Sequence, residues 1–167
     1  RFEVVEAPII VDYLHGGGRI GVIVAAEAGA DNDAVREALK NVAMQVAALA
    51  PKYVCRDEIS DDYIAHEKEI LLAQIMNDPK ESAKPQKVID GMINGRINKE
   101  LKEICLLDQI YVKADDGKQT VGQYIAQVAK ENGTDLKVTK FVRFETGEGL
   151  EKKNEDFAAE VAAQMNA

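Results

Sequence analysis

The chain has few of the residues that build metal centres and disulfide frameworks. Its 167 residues include only two cysteines, Cys55 and Cys105, and two histidines, His15 and His66. Neither cysteine has a Cys-x-x-Cys partner or a histidine at ligand spacing, so we expect buried free thiols in a reducing compartment and no metal site. No His-x-x-x-His, Glu-x-x-His or supported Ser-His-Asp arrangement is present. The sequence therefore predicts no catalytic residues, and it favours a binding protein over an enzyme.

Long apolar runs and an excess of positive charge are also missing. No stretch approaches the length of a membrane span, and no secretory signal opens the chain. Lys plus Arg total 21 and Asp plus Glu total 29, which gives a net charge of −8. An acidic chain repels phosphates, so we expect no direct nucleic-acid partner and no membrane partner. The free thiols predict a cytoplasmic location, because the cytoplasm is reducing. The chain begins at Arg1 and enters a strand-like run at once, which predicts a fragment or a processed protein.

The stretch around which the chain is organised runs from Leu14 to Ala28. Its second half, residues 20–26, is an uninterrupted apolar run rich in β-branched side chains, which predicts a buried central strand. Residues 4–13 are also strand-like, although Pro8 indicates a break, a bulge or an edge position because proline cannot donate to a ladder. The glycines between the two runs allow the chain to reverse, so we expect a hairpin.

The same stretch matches a dinucleotide-binding motif by its letters alone. Residues 16–21, Gly-Gly-Gly-Arg-Ile-Gly, fit the pattern Gly-x-Gly-x-x-Gly. That motif needs its glycines after a strand and at the start of a helix, whereas these glycines lead into a strand. We therefore expect no cofactor here. A dinucleotide-dependent enzyme stays as an alternative that titration with NADH or FAD would test.

Apolar spacing predicts the remaining elements of the body. Steps of three and four predict helices over residues 33–49 and 121–131, and a short terminal helix over residues 155–164. Alternation predicts a last strand over residues 136–145, in which Lys140 and Arg143 face solvent. Residues 105–112 are expected to return the chain to the core as an extended segment.

Between Ser60 and Glu103 the composition shifts towards charge. Two helices, over about residues 61–77 and 86–103, are joined by a loop with two prolines, which predicts a protruding antiparallel helical hairpin. Such an arm is either a solvated spacer or a contact surface for another chain. Its apolar seam contains Ile64, Leu71, Ile75, Ile89, Ile93 and Ile97.

Together these patterns predict an α+β fold with a small antiparallel sheet of about three strands, packed with helices, plus the protruding hairpin. Residues 1–59 and 105–150 form the α+β core, and residues 60–104 form the inserted arm. Residues 151–167 form a C-terminal helix module.

Four ordered segments resemble one known family. They are His15-Gly-Gly-Gly-Arg-Ile-Gly-Val-Ile-Val-Ala-Ala, Met44-Gln-Val-Ala-Ala-Leu-Ala-Pro, Thr120-Val-Gly-Gln, and Phe141-Val-Arg-Phe-Glu-Thr-Gly-Glu-Gly-Leu-Glu-Lys, which is followed by Asp156-Phe-Ala-Ala-Glu-Val-Ala. In this order they resemble signatures of bacterial elongation factor Ts, and the resemblance spans nearly the whole chain.

The resemblance implies a translation elongation factor that promotes GDP release from the GTPase elongation factor Tu and performs no covalent chemistry. It also implies that the arm is a coiled coil used for dimerisation. The family's Thr-Asp-Phe-Val-Ala-Lys-Asp segment, which reaches towards the magnesium site of the GTPase, has no counterpart in these residues. We therefore expect this chain to bind the GTPase but to exchange nucleotide poorly. The alternative is a structural dimerisation module without exchange activity.

By resemblance, three regions contact the GTPase. The turn at His15, Gly16 and Arg19 faces the partner's C-terminal β domain, residues 111–113 form a second contact, and the terminal helix forms a third. Each region has a purely structural alternative, namely a turn cap, core strand residues and a helix staple, respectively. The residues of the last two regions are Tyr111, Val112 and Lys113, and Phe157, Val161 and Met165.

Overall fold

The computed structural model describes residues 2–150, and within this range the fold is α+β, as predicted. Three strands, β1 (Ile9–His15), β2 (Ile20–Ala28) and β3 (Leu136–Glu145), form an antiparallel sheet in the order β1-β2-β3. The predicted central strand is therefore central. Its register with β1 runs from the pair Ile9 and Ala26 to the pair His15 and Ile20, and its ladder with β3 is interrupted by an irregularity at Ala25 and Ala26.

The first strand is shorter than the sequence predicted. It begins at Ile9, immediately after Pro8, and Val4 lies outside it as an exposed residue. Pro8 has no N–H to donate to the ladder with β2, which accounts for the start of the strand at this point.

Helix α1 (Asp33–Leu49) packs against the sheet and forms the core with it. Its N-cap is Asn32, whose side chain accepts a hydrogen bond from the Val35 amide at 3.0 Å. It ends at Leu49, and its C-cap is Ala50, a non-glycine residue with φ of 45° directly before Pro51. One apolar cluster joins α1 to all three strands, and it includes Ile9, Val22, Val24, Val35, Leu39, Val42, Val46 and Val138.

The charged middle of the chain forms a helical hairpin. Its helices are α2 (Asp61–Asn77), the short α3 (Pro79–Ser82) and α4 (Gln86–Ile104). The hydroxyl of Tyr63, at the start of α2, donates to Glu100, near the end of α4, so the two long helices run antiparallel. Their seam is an apolar cluster separate from the core cluster of the sheet.

After the hairpin, the chain is less extended than expected. Residues 105–112 contain a 3-10 turn, Leu106–Asp108, between isolated bridges that pair Cys105 with Tyr53 and Ile110 with Thr120. The turn forms because the amides of Asp108 and Gln109 bond back to the Cys105 carbonyl. Helix α5 (Val121–Glu131) follows, with Thr120 and Gln123 forming a reciprocal capping box.

The prediction that Arg143 faces solvent is wrong. It pairs with Val22 in the sheet, on the face that packs against α1, and its side chain is only 16% exposed. The guanidinium donates to Glu145 at 2.8 Å. The irregularity opposite Ala25 and Ala26, where Val138 pairs with Ala26 and Lys140 with Ala25, reverses the alternation of β3 and puts Arg143 on the face opposite to the one predicted. The long aliphatic stem of arginine lets it lie on the core face.

Both cysteines of the chain are free thiols; Cys105 is fully buried and Cys55 is partly exposed. Burial raises the pKa of the Cys105 thiol to about 11, which keeps it protonated near neutral pH. No group of His, Cys, Asp and Glu side chains within residues 2–150 is arranged to hold a metal ion. Over the same residues, no helix has the length and hydropathy to cross a bilayer.

Candidate partner-binding surface

The glycine-rich motif forms the turn between β1 and β2. Gly16, Gly17 and Gly18 have φ values of 59°, 67° and 89°, a region that other residues rarely adopt. The amide of Gly18 bonds to the His15 carbonyl at 3.2 Å and that of Arg19 to the Gly16 carbonyl at 3.4 Å. The glycines therefore reverse the chain between two strands, and no helix begins at this position to receive a dinucleotide phosphate.

The turn holds His15 at the exposed end of the sheet. Its Nδ1 lies 3.0 Å from the hydroxyl of Tyr13, and the two ring centroids are 5.9 Å apart. The turn itself uses the backbone carbonyl of His15, so the imidazole is not its cap. Leu14, the neighbouring residue, is also exposed.

Arg19 connects this turn to the loop after β3. Its carbonyl accepts hydrogen bonds from the amide of Thr146 at 2.8 Å and from the Thr146 hydroxyl at 3.2 Å. Gly18 and Arg19 line a shallow cleft with residues 144–150, and Leu150 at its rim is exposed. We call this region, comprising residues 14–19 and 144–150, the sheet-end surface.

The second predicted contact has alternating exposure. Gln109 and Tyr111 are 4% and 5% exposed, whereas Ile110 and Val112 are 48% and 49% exposed. Tyr111 stacks on Tyr124 with ring centroids 4.2 Å apart. The pKa of its phenol is raised, mainly by burial and secondarily by a hydrogen bond with Tyr124. Tyr111 is therefore a core residue, and the segment offers Val112 and Lys113 to solvent.

Ile110 and Leu49 were not among the predicted site residues, yet both are exposed and line one cleft. Leu49 is the last residue of α1, and Ile110 lies beside it on the segment after the hairpin. We call Leu49, Ile110 and Val112 the apolar edge. No signal in the sequence indicated Ile110, because alternation alone would place this apolar residue inwards and the buried polar Gln109 outwards.

The six predicted arm residues lie in the seam of the hairpin. Ile75, Ile89, Ile93 and Ile97 are buried, and Ile64 and Leu71 are partly buried against the same cluster. They hold α2 to α4 and leave other apolar side chains outside. These exposed residues are Ile70, Leu72, Met76 and Val88.

The sequence predictions for the terminal helix cannot be placed on this structure. Phe157, Val161 and Met165 lie outside the described residues. The candidate contact surfaces of the α+β core whose geometry is described are the sheet-end surface and the apolar edge, which adds Leu49 and Ile110 to the predicted Val112. They are carried by different elements, the first by the strands and the second by α1 and the segment before α5.

Comparison with known proteins identifies the family of this chain. The family model described as elongation factor TS matches residues 1–148. Elongation factor Ts of Clostridioides difficile (strain 630) is 51% identical over 163 residues, covering 98% of this chain and 52% of the relative. That of Desulforamulus reducens is 47% identical, covering 95% of this chain and 72% of the relative. That of Clostridium botulinum (strain Eklund 17B / Type B) is 45% identical, covering 96% and 51%, respectively.

The chain therefore spans about half the length of several curated relatives. Its matched region includes the turn at residues 15–19, the hairpin and the apolar edge. On this evidence, the chain belongs to the elongation factor Ts family.

Proposed function

We propose that this chain binds elongation factor Tu and promotes release of its GDP. The observation that carries the proposal is the match of the elongation factor TS family model to residues 1–148, which leaves almost none of the described chain unmatched. The exposed sheet-end surface supports it, because the family-like segment at His15 forms an ordered turn there.

The mechanism is thermodynamic linkage. A protein that binds the nucleotide-free GTPase more tightly than the GDP-bound form must weaken GDP binding by the same factor. This requires differential contacts and no bond making or breaking, so the absence of a catalytic constellation in the sequence agrees with it. The relevant location is cytoplasmic.

The proposed contact surfaces are those that the family resemblance implies, and exposure of the described residues supports the first two. His15, Gly16 and Arg19 dock on the partner's C-terminal β domain, and Val112 and Lys113 form a second contact that Tyr111 supports from the core. Phe157, Val161 and Met165, which lie outside the described residues, are proposed as a third contact on the resemblance alone.

We assign a separate role to the arm over residues 60–104. The apolar side chains of its seam pack against one another, but Leu72, Met76 and Val88 are exposed on the outside of the arm. Exposed apolar side chains on a helical hairpin favour contact with another chain. We propose, as the family resemblance implies, that the partner of the arm is a second copy of this chain, whereas the α+β core of residues 1–59 and 105–150 binds the GTPase.

A pull-down with immobilised elongation factor Tu tests the main proposal. The chain is expected to be retained by the nucleotide-free GTPase and eluted by added GDP, because the two ligands compete through linkage. Retention that GDP does not reduce, or no retention at all, would contradict an exchange function. The structural alternative predicts no retention and an intact dimer.

A further inference from the structure

Gln45 is a fully buried polar residue one turn before the C-terminal end of α1. Its side-chain Nε2 donates to Gln109 Oε1 at 3.1 Å and to the Ile110 carbonyl at 3.0 Å. Its Oε1 accepts the amide of Val112 at 2.8 Å. All three partners lie in one stretch of four residues. The amide of Gln45 therefore binds that stretch as a backbone strand would, although the two are 64 or more positions apart in sequence.

The network continues past Gln45. Gln109, which is also buried, donates from Nε2 to the carbonyl of Glu103 at 2.7 Å, at the end of α4. A buried primary amide without partners is costly, so both glutamines favour the one backbone conformation that satisfies them. That conformation turns Gln109 and Tyr111 inwards and Ile110 and Val112 outwards.

Leu49 lies one helical turn after Gln45 on α1, and its exposed side chain adds to those of Ile110 and Val112. With Ile110 it lines an open cleft whose other walls come from the end of α4 and from Asp108. Lys99, Lys102 and Glu103 are the other charged residues that line this cleft, while Asp108 is already paired with Arg56. The remaining charge at the rim is therefore positive.

Lys113 stands at the other end of the edge. Its Nζ donates to the Asn41 side chain at 2.8 Å, and Asn41 also donates to the Tyr124 hydroxyl at 2.9 Å. The ammonium is thus held beside Val112. Exposed apolar side chains bordered by lysines suit an apolar segment flanked by carboxylates.

We infer that Gln45 is a positioning residue for partner docking: it holds residues 109–112 so that Ile110 and Val112, together with Leu49, present a continuous apolar edge to the GTPase. The inference rests on the proposed function for the identity of the partner. It adds Leu49 and Ile110 to the docking surface, and it assigns to a buried glutamine an effect on affinity. The matching site on the GTPase is an apolar segment bordered by acidic side chains.

The test compares three substitutions in the full chain. Gln45→Leu removes the three hydrogen bonds at similar volume, Ile110→Ser removes one exposed apolar group, and Val138→Ala is a control in the sheet core. For each variant, the dissociation constant for nucleotide-free elongation factor Tu, the urea-unfolding free energy and the hydrogen exchange of the Val112 amide are measured.

We expect Gln45→Leu to weaken binding roughly tenfold and to accelerate exchange of the Val112 amide, which has lost its acceptor. Ile110→Ser is expected to weaken binding several-fold with stability and amide exchange unchanged. Val138→Ala is expected to lower stability and leave affinity unchanged, which separates positioning from general destabilisation.

The outcomes separate the two proposals. If the unsubstituted chain does not bind the GTPase, the proposed function fails, and the docking role of Gln45 fails with it. If the unsubstituted chain binds the GTPase, and both Gln45→Leu and Ile110→Ser bind it with the same affinity as the unsubstituted chain, only the present inference is overturned. If Gln45→Leu and Val138→Ala lose affinity in proportion to their losses of stability, Gln45 is structural and the positioning role is rejected.

Discussion

Three consecutive glycines set the geometry of the β1–β2 turn, and Gly17 is the clearest case. An added Cβ would meet no atom within 4 Å, but φ is 67°. We expect Gly17→Ala to lower the unfolding free energy by about 1 kcal/mol because only the backbone conformation is penalised. The control is Gly95→Ala in α4, where space is also open and φ is not positive; it should raise stability by about 0.5–1 kcal/mol. Urea denaturation of both variants measures these changes, and equal effects of the same sign would contradict the argument.

At the same turn, His15 tests whether the sheet-end surface docks. We expect His15→Ala to weaken binding to nucleotide-free elongation factor Tu roughly tenfold, because the imidazole is exposed and is oriented by Tyr13. Stability should change little. The matched control is His66→Ala, which removes the other exposed histidine of the chain from α2. Isothermal titration calorimetry measures the affinity, and an equal loss in both variants would show that the turn is not the contact.

At the scale of elements, two adjacent residues of the hairpin have different expected roles. One stabilises the hairpin, and the other is proposed to contact a second chain. Ile75 is 0% exposed in the seam, whereas Met76 is 56% exposed on the outside. Ile75→Ala is expected to cost about 2–5 kcal/mol, because it leaves a cavity between α2 and α4. Met76→Ser should leave stability nearly unchanged and weaken the proposed homodimer.

Analytical ultracentrifugation over a range of concentrations measures the dimerisation, and thermal unfolding measures the stability. If the unsubstituted chain is monomeric at every concentration, the dimer role of the arm is rejected. If only Ile75→Ala loses the dimer, Met76 is not part of the dimer contact. The loss then reflects unfolding of the hairpin or a contact made by its seam.

At the scale of the whole molecule, we expect the 167-residue chain to bind the GTPase. At equal occupancy it should release GDP more slowly than a relative that contains the family's Thr-Asp-Phe-Val-Ala-Lys-Asp segment. The reason is that this segment, expected to disturb the magnesium site, has no counterpart in these residues. The measurement is the release rate of a fluorescent GDP analogue from elongation factor Tu, compared with that of a relative containing the segment, at matched occupancy. Equal rates would contradict a separate role for the segment.

Elements could be predicted where local signals agreed. The boundaries of α1, α2 and α5 followed from capping residues and apolar spacing, and β2 followed from an uninterrupted β-branched run. The start of β1 and the 3-10 turn at Leu106–Asp108 were not obtained, because both depend on hydrogen bonds to partners chosen by the fold. Arg143 was placed on the correct strand but on the wrong face, because the irregularity at Ala25 and Ala26 reverses the alternation of β3 and depends on how the two strands pair.

The sequence by itself determined the α+β class, the central strand, the hairpin and the family, because these depend on periodicity, capping and ordered motifs that are local to the chain. Only the tertiary structure decided which side of residues 109–112 faces outwards and that Gln45 holds it there. A buried amide is satisfied by whatever groups folding brings to it, and no periodicity encodes a partner so far away in sequence. The apolar edge is therefore a property of packing, whereas the turn that carries His15 is already determined by three glycines.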